Sequence, residues 1–546
     1  TLTPYATLWQ IKHVGAYAGV FILLRAMRHQ KWTPLFLTAL LIGMTINSML
    51  AIAQYHIGLV EGTIVASIAN WFAGAAPPAA GFSNKNLLAS YLVALLPIAM
   101  AFVLTGRKSR LLLSATALCL GLTALAYTQS RGSIIALLTT GFFISLWLVL
   151  DKKGRKHLKI HWRLAPFAAA IGLGIFLASL PHHMAQGPKQ SLSQRMESLA
   201  SPESGQSLQI RRAYNTNSLH ALAEKPLLGW GLGSFKAVYP KFHNAHVPTP
   251  DNGYSLKKRP NRLHNDVLQH FVELGLIGGL LISTLGLMVL WQGREFAYKS
   301  GLLAGVWFGY IALSMNALGD FPLQMPTGAF LWWCFAALLT GSATPMWKTV
   351  KRPSLRKALG LAVLLITCFG MWDNWQRYQA STYLKRATTL AQLDNYGPDA
   401  KQAIDKAYSI YPNDPLTRDY RAVIYVNYQG DIPTETKIAA VHNALLHDPY
   451  APNNLVNMGG QLLMQWKQML QRQAPETDLM QKQKEVDYLA DKIIKIVPDA
   501  AEGYTIKGFV YLLTGEREKA EKLFNEALER NPFYRPARVG YMQAID

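Results

Sequence analysis

Ten apolar runs of about 20 residues decide what this chain can fold into. About 20 apolar residues cover the roughly 30 Å of hydrocarbon in a bilayer, where a helix can satisfy all of its own backbone. The runs fall at about 8–24, 34–57, 86–104, 111–128, 132–150, 164–180, 266–290, 300–318, 327–346 and 358–376. The expected fold is therefore all-α, a polytopic membrane helix bundle. Composition agrees, because 16% of the 546 residues are charged where ordinary domains carry about 25%. The chain opens on Thr1 rather than Met, so further spans are expected upstream of it.

The connections between runs alternate in character. RAMRHQKW (25–32), GRKSR (106–110), DKKGRKHLKIHWR (151–163), WQGREFAYK (291–299) and WKTVKRPSLRK (347–357) are basic. By the positive-inside rule they face the cytoplasm. The remaining connections, 58–85, 129–131, 181–265 and 319–326, then face outward with everything after about 377. In a bacterium that places the outer loops and the tail in the periplasm and the spans in the inner membrane. The net charge of +22 is concentrated in the short cytoplasmic loops, and acids and bases nearly cancel in the tail. That is a topology signal, so no nucleic-acid partner is expected. Cys119, Cys334 and Cys368 all lie in apolar runs, which argues against a disulfide framework. Four parts follow: N-terminal spans at 1–180, a large outer loop at 181–265, C-terminal spans at 266–378 and a helical outer domain at 379–546.

The outer loop is too long for a plain connector. From Arg211 to Glu273 it reads as an anion-binding, base-bearing site at the water–lipid boundary, with re-entry into lipid at about Asn265. Arg211 and Arg212 open the stretch, inside an amphipathic helix expected over 210–224 and stopped by Pro226. LLGWGLGSF follows, a glycine-rich turn of the kind whose backbone amides can hold phosphate, although GxGxxG spacing is absent. His243 and His246 form an HxxH with no carboxylates beside them, so no metal is expected. His264 closes the loop near a helix N-terminus, with Asn265, Asp266 and Gln269 beside it. Polar groups entering lipid are costly unless used, which favours a functional His264 over an interfacial one.

Other outer connections add candidates. In YTQSRGS, Gln129, Ser130 and Arg131 stand at the membrane edge, where a charge is usually functional; the bland reading is a snorkelling arginine. Asn86 starts the third span after GFSN, either as a helix cap or as a site residue. Asp320, the single acid of NALGDFPLQMP, either orients His264 or caps a helix.

The tail is helical in pattern. AEGYTIKGFVYLLTGEREKAEKLFNEALERNPF (501–533) fits the 34-residue tetratricopeptide pattern, with Gly508, Gly515, Ala520 and Ala527 as its small positions. Weaker echoes stand at 400–415 and 438–453. Such stacks form concave surfaces for peptides or partner domains; the competing reading is an architectural cap.

Taken together, QSRG at a span junction, Arg211 ahead of PLLGWG, and LHNDVLQHFVELGLIGG resemble the O-antigen ligase/polymerase superfamily. With the helical tail, the chain is similar to bacterial O-linked protein oligosaccharyltransferases of the pilin-glycosylating type. The resemblance implies transfer of a glycan from a polyprenyl (undecaprenyl) diphosphate carrier to a periplasmic acceptor protein such as pilin, without a cofactor. It implies diphosphate binding at Arg131 and at Arg211 or its neighbour Arg212, with counting back from Pro226 favouring Arg211, and an essential catalytic His264. Asn86, Gln129, Asn265 and Asp320 are supporting candidates. The branch commonly has an acid–Tyr–Pro turn where this chain has Asp320-Phe321-Pro322, a departure that leaves a tyrosine role there unsupported. The chemistry fits: guanidinium groups grip a diphosphate bidentately, and a histidine can accept the proton of a Ser or Thr hydroxyl attacking C1. A single displacement inverts the anomeric carbon. Two other readings stand beside this one: an O-antigen ligase whose acceptor is lipid A-core, and a non-enzymatic transporter or scaffold. Transporters concentrate polar residues at the midplane, whereas here they gather at one surface.

Overall fold

The computed structural model describes residues 4–26, 32–57, 78–82, 84–150, 163–179, 206–242, 260–341, 353–393 and 395–546. Among the described residues there are helices and turns but no strand, as expected of an all-α membrane protein. The bundle contains α1 (Pro4–Ala26), α2 (Trp32–Ile57), α3 (Lys85–Thr105), α4 (Leu111–Thr128), α5 (Arg131–Leu150) and α6 (Leu164–Ser179). The loop helix α7 (Gln206–Glu224) precedes α8 (Asp266–Ala297), α9 (Gly301–Ala317) and α10 (Pro326–Leu339). Trp32–Tyr55, Lys85–Thr105, Lys108–Thr128 and Asp266–Ala297 are long and apolar enough to cross a membrane, and α5, α6, α9 and α10 contain shorter apolar helices.

Burial separates the centre of the bundle from its rim. The apolar part of α3 is 78% buried, that of α8 only 17%. Helix α9 lies directly on α3, because Gly305 and Gly309 let the two backbones approach: a methyl added to Gly309 would stand 2.4 Å from the Ala94 carbonyl oxygen. Small residues four apart are what lets membrane helices pack this tightly, since lipid supplies no hydrophobic drive between them. Around this pair, α4 packs on α3, α2 and α6, while α5, α8 and α10 pack on α9 and α1 packs on α10. Leu92, Leu95, Phe102, Leu313 and Phe335 fill the core. Leu276, Ile277, Leu280, Leu281, Leu285 and Trp291 of α8 are exposed, a stripe that suits lipid.

The expected span over 266–290 is two helices rather than one. Gly275 has φ 67° and ψ −171°, which breaks α8 near its start. The longest run of exposed apolar residues on α8 begins at Leu276, directly after the break.

Helix α11 (Pro353–Leu393) carries the chain unbroken from the bundle into the tail. The tail continues as α12 (Pro398–Ile410), α13 (Pro415–Asn427), α14 (Thr434–Leu445), α15 (Pro452–Gln471), α16 (Glu476–Ile496), α17 (Ala501–Leu513), α18 (Arg517–Arg530) and α19 (Arg535–Ile545). Consecutive helices pack on one another, and α11, α13, α15, α17 and α19 each touch the next in that series, which makes a stack. The stack is tied to α1. The Arg377 guanidinium lies 3.2 Å from the centre of the Trp9 ring, Lys12 pairs with Asp373 at 3.4 Å, and the Tyr411 hydroxyl donates to Asp373 at 3.1 Å. Helix α16 also touches the loop segment Tyr239–Phe242.

Candidate functional site

The described part of the outer loop folds as a small unit on α8. Ala221, Trp230, Phe235, Tyr239, Phe242, Leu263 and Val272 form its core. The indole N–H of Trp230 donates to the Ala221 carbonyl at 2.7 Å. The glycine-rich turn runs across the break in α8 and pairs with it through backbone bonds. Trp230 N donates to Val272 O (3.2 Å), Gly231 N to Glu273 O (2.7 Å), Leu276 N to Pro226 O (2.7 Å) and Ile277 N to Leu227 O (3.3 Å). Gly229 and Gly275 are where the two segments cross, and both have positive φ. A methyl on Gly275 would stand 2.2 Å from the Leu227 carbonyl oxygen.

The amides of this turn face a carboxylate of the protein itself. Glu273 is fully buried and accepts from Gly233 N at 2.7 Å and Phe235 N at 3.3 Å, while Gln269 donates to it at 2.9 Å. Gln269 in turn accepts from Leu263 N at 3.1 Å. The glycine-rich turn therefore has two of its amides committed to Glu273, and works as a brace for the segment that ends in His264.

His264 sits on that brace in a left-handed conformation, φ 59°. Such backbone is uncommon outside glycine and is found where surrounding structure enforces it. Its Nδ1 lies 3.1 Å from Asp320 Oδ1, and its ring meets Phe321 edge-to-face with centroids 4.7 Å apart. Asp320 is buried and also accepts from Phe321 N at 3.0 Å. An ionised carboxylate only accepts, so the geometry puts the imidazole proton on Nδ1 and leaves Nε2 as an acceptor. The His264 side chain keeps 27% of its surface accessible, enough for a hydroxyl to reach it.

Arg211 joins the same turn. Its guanidinium donates to the Gly319 carbonyl at 2.9 Å, one residue before Asp320. Arg212 is exposed, and consecutive helical residues point about 100° apart, so it faces a different direction. Of the adjacent pair, Arg211 is the one that reaches the Asp320 turn.

A buried polar chain links the other candidates to this turn. Ser130 Oγ donates to Ser133 Oγ (3.2 Å), Ser133 Oγ to Asn316 Oδ1 (3.3 Å), Asn316 Nδ2 to Ser90 Oγ (2.6 Å), and Ser90 Oγ to the Asn86 carbonyl (2.8 Å). The Asn316 carbonyl accepts the Asp320 amide at 2.9 Å. The start of α5 with Arg131, the start of α3 with Asn86, and the Asp320 turn thus share one hydrogen-bonded frame centred on Asn316. Gln129 ends α4 in a left-handed conformation, φ 52°, and lets the chain turn directly into Arg131.

Of the supporting candidates Asn265 and Asn86, only the first caps its helix. Asn265 caps α8 by accepting Leu268 N at 3.0 Å. At α3 the cap is Asn84, which accepts Asn86 N at 2.8 Å; Asn86 itself is inside the first turn, so of its two readings the capping one is set aside. His243 and His246 lie outside the described residues. Sequence reasoning missed Asn316, Ser133 and Ser90. The available signal was SMNALGD, an asparagine inside an apolar run where an unpaired amide would be costly.

A family model described as O-antigen ligase matches residues 116–283, a stretch that contains Arg131, Arg211 and His264 and stops short of Asn316 and Asp320. No curated protein matches the chain.

Proposed function

We propose, from the premise that residues 116–283 belong to the O-antigen ligase superfamily, that this multi-pass membrane protein moves a preassembled oligosaccharide from a polyprenyl diphosphate to Ser or Thr hydroxyls of a periplasmic protein such as pilin. The family match supports glycosyl transfer of the O-antigen ligase type. The observation that carries the mechanism is the pairing of His264 with Asp320 next to the Gly319 carbonyl bonded by Arg211.

The acceptor hydroxyl approaches Nε2 of His264. As its oxygen attacks C1 of the reducing-end sugar, its proton passes to Nε2, and Asp320 stabilises the imidazolium that forms. The C1–O bond to the diphosphate breaks, and its electron pair leaves with the lipid diphosphate. Arg211 and Arg131 hold that group bidentately and offset its growing charge. One displacement inverts the anomeric centre. The residues supply base and charge stabilisation without a divalent cation, so transfer proceeds in EDTA.

The tail supports a protein acceptor. A groove of about 700 Å³ between α14, α15 and α16 is lined by Ile438, Leu445, Met458, Leu462, Tyr488 and Lys492, a mixture suited to a peptide segment. The deciding experiment gives purified protein a polyprenyl-diphosphate glycan, EDTA, and either a pilin-like protein or lipid A-core. Glycan on Ser or Thr, lost in His264→Ala, supports the proposal. Transfer to lipid A-core alone makes the chain a ligase. No transfer to either, with donor still bound, points to a polymerase or a non-enzymatic role.

A further inference from the structure

Leu227 and Leu228 are 61% and 74% exposed at the crest of the turn that crosses α8, although most of the loop core beneath them is buried. Turns in water favour Gly, Asn, Asp, Ser and Pro for the conformations and local hydrogen bonds they offer, and a rigid turn has no need of two adjacent leucines at its tip. This one is rigid. Gly229 N donates to Lys225 O at 3.1 Å, and Leu276 N and Ile277 N bond the carbonyls of Pro226 and Leu227. The same bonds seat the leucines beside Leu276 and Ile277, the first two residues of the exposed stripe that continues through Leu280, Leu281 and Leu285. An isolated exposed leucine is ordinary, whereas a contiguous apolar surface marks a contact. Behind the crest, Lys225 lies over the Trp230 ring with its Nζ 4.3 Å from the centroid. That contact puts the ammonium itself on the face of a buried indole, a cation–π pair that ties the exposed Lys225 to the loop core.

We propose that the Pro226–Leu228 turn inserts Leu227 and Leu228 into the acyl-chain boundary of the bilayer, as a wedge alongside α8. The inference extends the membrane architecture and does not depend on the transfer reaction. The occupant is bilayer lipid, because the patch is continuous with the lipid-facing stripe of α8. The wedge has a consequence for the site. The turn is bonded to α8 at its break, and the short helical segment 266–274 leads from that break to His264. Anchoring the turn holds the His264 end at a set depth relative to the bilayer.

The test is site-directed spin labelling of the full chain in vesicles of phosphatidylethanolamine and phosphatidylglycerol. Cys368→Ser removes the exposed thiol, and Cys119 and Cys334 are buried. Leu228→Cys is labelled, with Leu281→Cys as the lipid reference and Phe533→Cys, 83% exposed in the tail, as the water reference. Collision with oxygen, which concentrates in lipid, is compared with collision with a water-soluble nickel chelate. A Leu228 label with the oxygen preference of the Leu281 label establishes insertion. A label with the nickel preference of the Phe533 label overturns the proposal, and so does one that neither reagent reaches, since protein then covers the crest. Leu227→Cys repeats the measurement should Leu228→Cys fail to purify as a folded species.

Discussion

His264 and Asp320 stand 56 residues apart in the chain and meet through one contact, Nδ1 to Oδ1 at 3.1 Å. The carboxylate fixes which imidazole nitrogen holds the proton, and hence which can accept another. Under the proposed mechanism, His264→Ala removes the base and lowers kcat by about 10²–10⁴-fold. Asp320→Asn keeps the shape but can present its NH2 to Nδ1, which shifts the proton to Nε2 and blocks acceptance. Its kcat is expected to fall by a similar factor, as in catalytic triads, while the thermal midpoint stays near that of the parent. Steady-state transfer kinetics with a fluorescent acceptor peptide check both, and an Asp320→Asn protein with parental kcat contradicts the orienting role.

Arg211 and Arg212 separate charge from geometry. Lysine keeps the charge and loses the fork that grips two phosphate oxygens. Arg211→Lys is therefore expected to lower kcat/KM by about 10-fold or more, equivalent to about 1.4 kcal/mol of lost transition-state binding. Arg212→Lys, on the exposed side of α7, is expected to change it less than about 2-fold. Equal losses for the two would mean that the diphosphate reaches Arg212 as well.

Asn316 ties α3, α5 and α9 together, so its removal leaves buried hydroxyls on Ser90 and Ser133 with fewer partners. An unsatisfied buried polar group costs about 1–3 kcal/mol. Asn316→Ala is expected to lose stability in that range, and Ser133→Ala less. Because the two share a bond, the double variant should lose less than the sum. Unfolding of the detergent-solubilised protein by a thermal series gives the cycle; strict additivity would show that the chain of bonds does not act as a unit.

Much of this architecture was legible in the sequence, and the reason differs from part to part. The apolar runs were readable because hydrocarbon thickness dictates their length, and each of the ten contains helix among the described residues. His264 stood out because imidazole beside Asn265 and Asp266 is costly at a lipid boundary. The break at Gly275 was hidden, because stretches like LGLIGG (274–279) occur in continuous helices; only the crossing turn at Leu227 demands a glycine there. Asn316 was hidden for a related reason. Its role depends on Gly305 and Gly309 bringing α9 onto α3, a tertiary fact that no local pattern reports. Glu273 was visible as part of a motif, but its service to the Gly233 and Phe235 amides required the fold.

The tail makes a pH prediction of definite sign. Burial pushes the Asp405 carboxyl up, but hydrogen bonds from Tyr425, Lys401 and Arg421 outweigh it and hold it below the usual carboxylate range. The distances are 2.7 Å, 2.9 Å and 3.1 Å. A carboxyl depressed in the folded state stabilises it above the unfolded pKa of about 3.9 and loses that contribution as pH falls through the lower folded value. The α12–α13 pair should therefore soften as pH drops below about 4. Asp405→Asn should be weaker than the parent at neutral pH, with the difference closing in acid. Hydrogen exchange of peptides from residues 398–427, followed against pH in the full chain, reads this directly; a gap that widens in acid would reverse the sign.

Gly275 offers the sharpest test of how the site is supported, because no chemical group changes. At φ 67° and ψ −171°, a region essentially restricted to glycine, an alanine is strained by about 1–3 kcal/mol, and its methyl would stand 2.2 Å from Leu227 O and 2.6 Å from Leu228 N. The turn must then part from α8, and with it goes the pairing that leads to the Glu273 brace and His264. Gly275→Ala is expected to lose transfer activity and to expose the 229–235 amides to hydrogen exchange, although the residue touches no substrate in the proposed mechanism. Gly286→Ala is the control. It lies in the same helix past the break, its added methyl meets Tyr310 Oη at an ordinary 3.5 Å, and alanine favours helix by about 1 kcal/mol. It should be neutral or slightly stabilising. Were Gly275→Ala to behave like Gly286→Ala, the crossing turn would not support His264, and the left-handed geometry at residue 264 would need its restraint from the Asp320 turn alone.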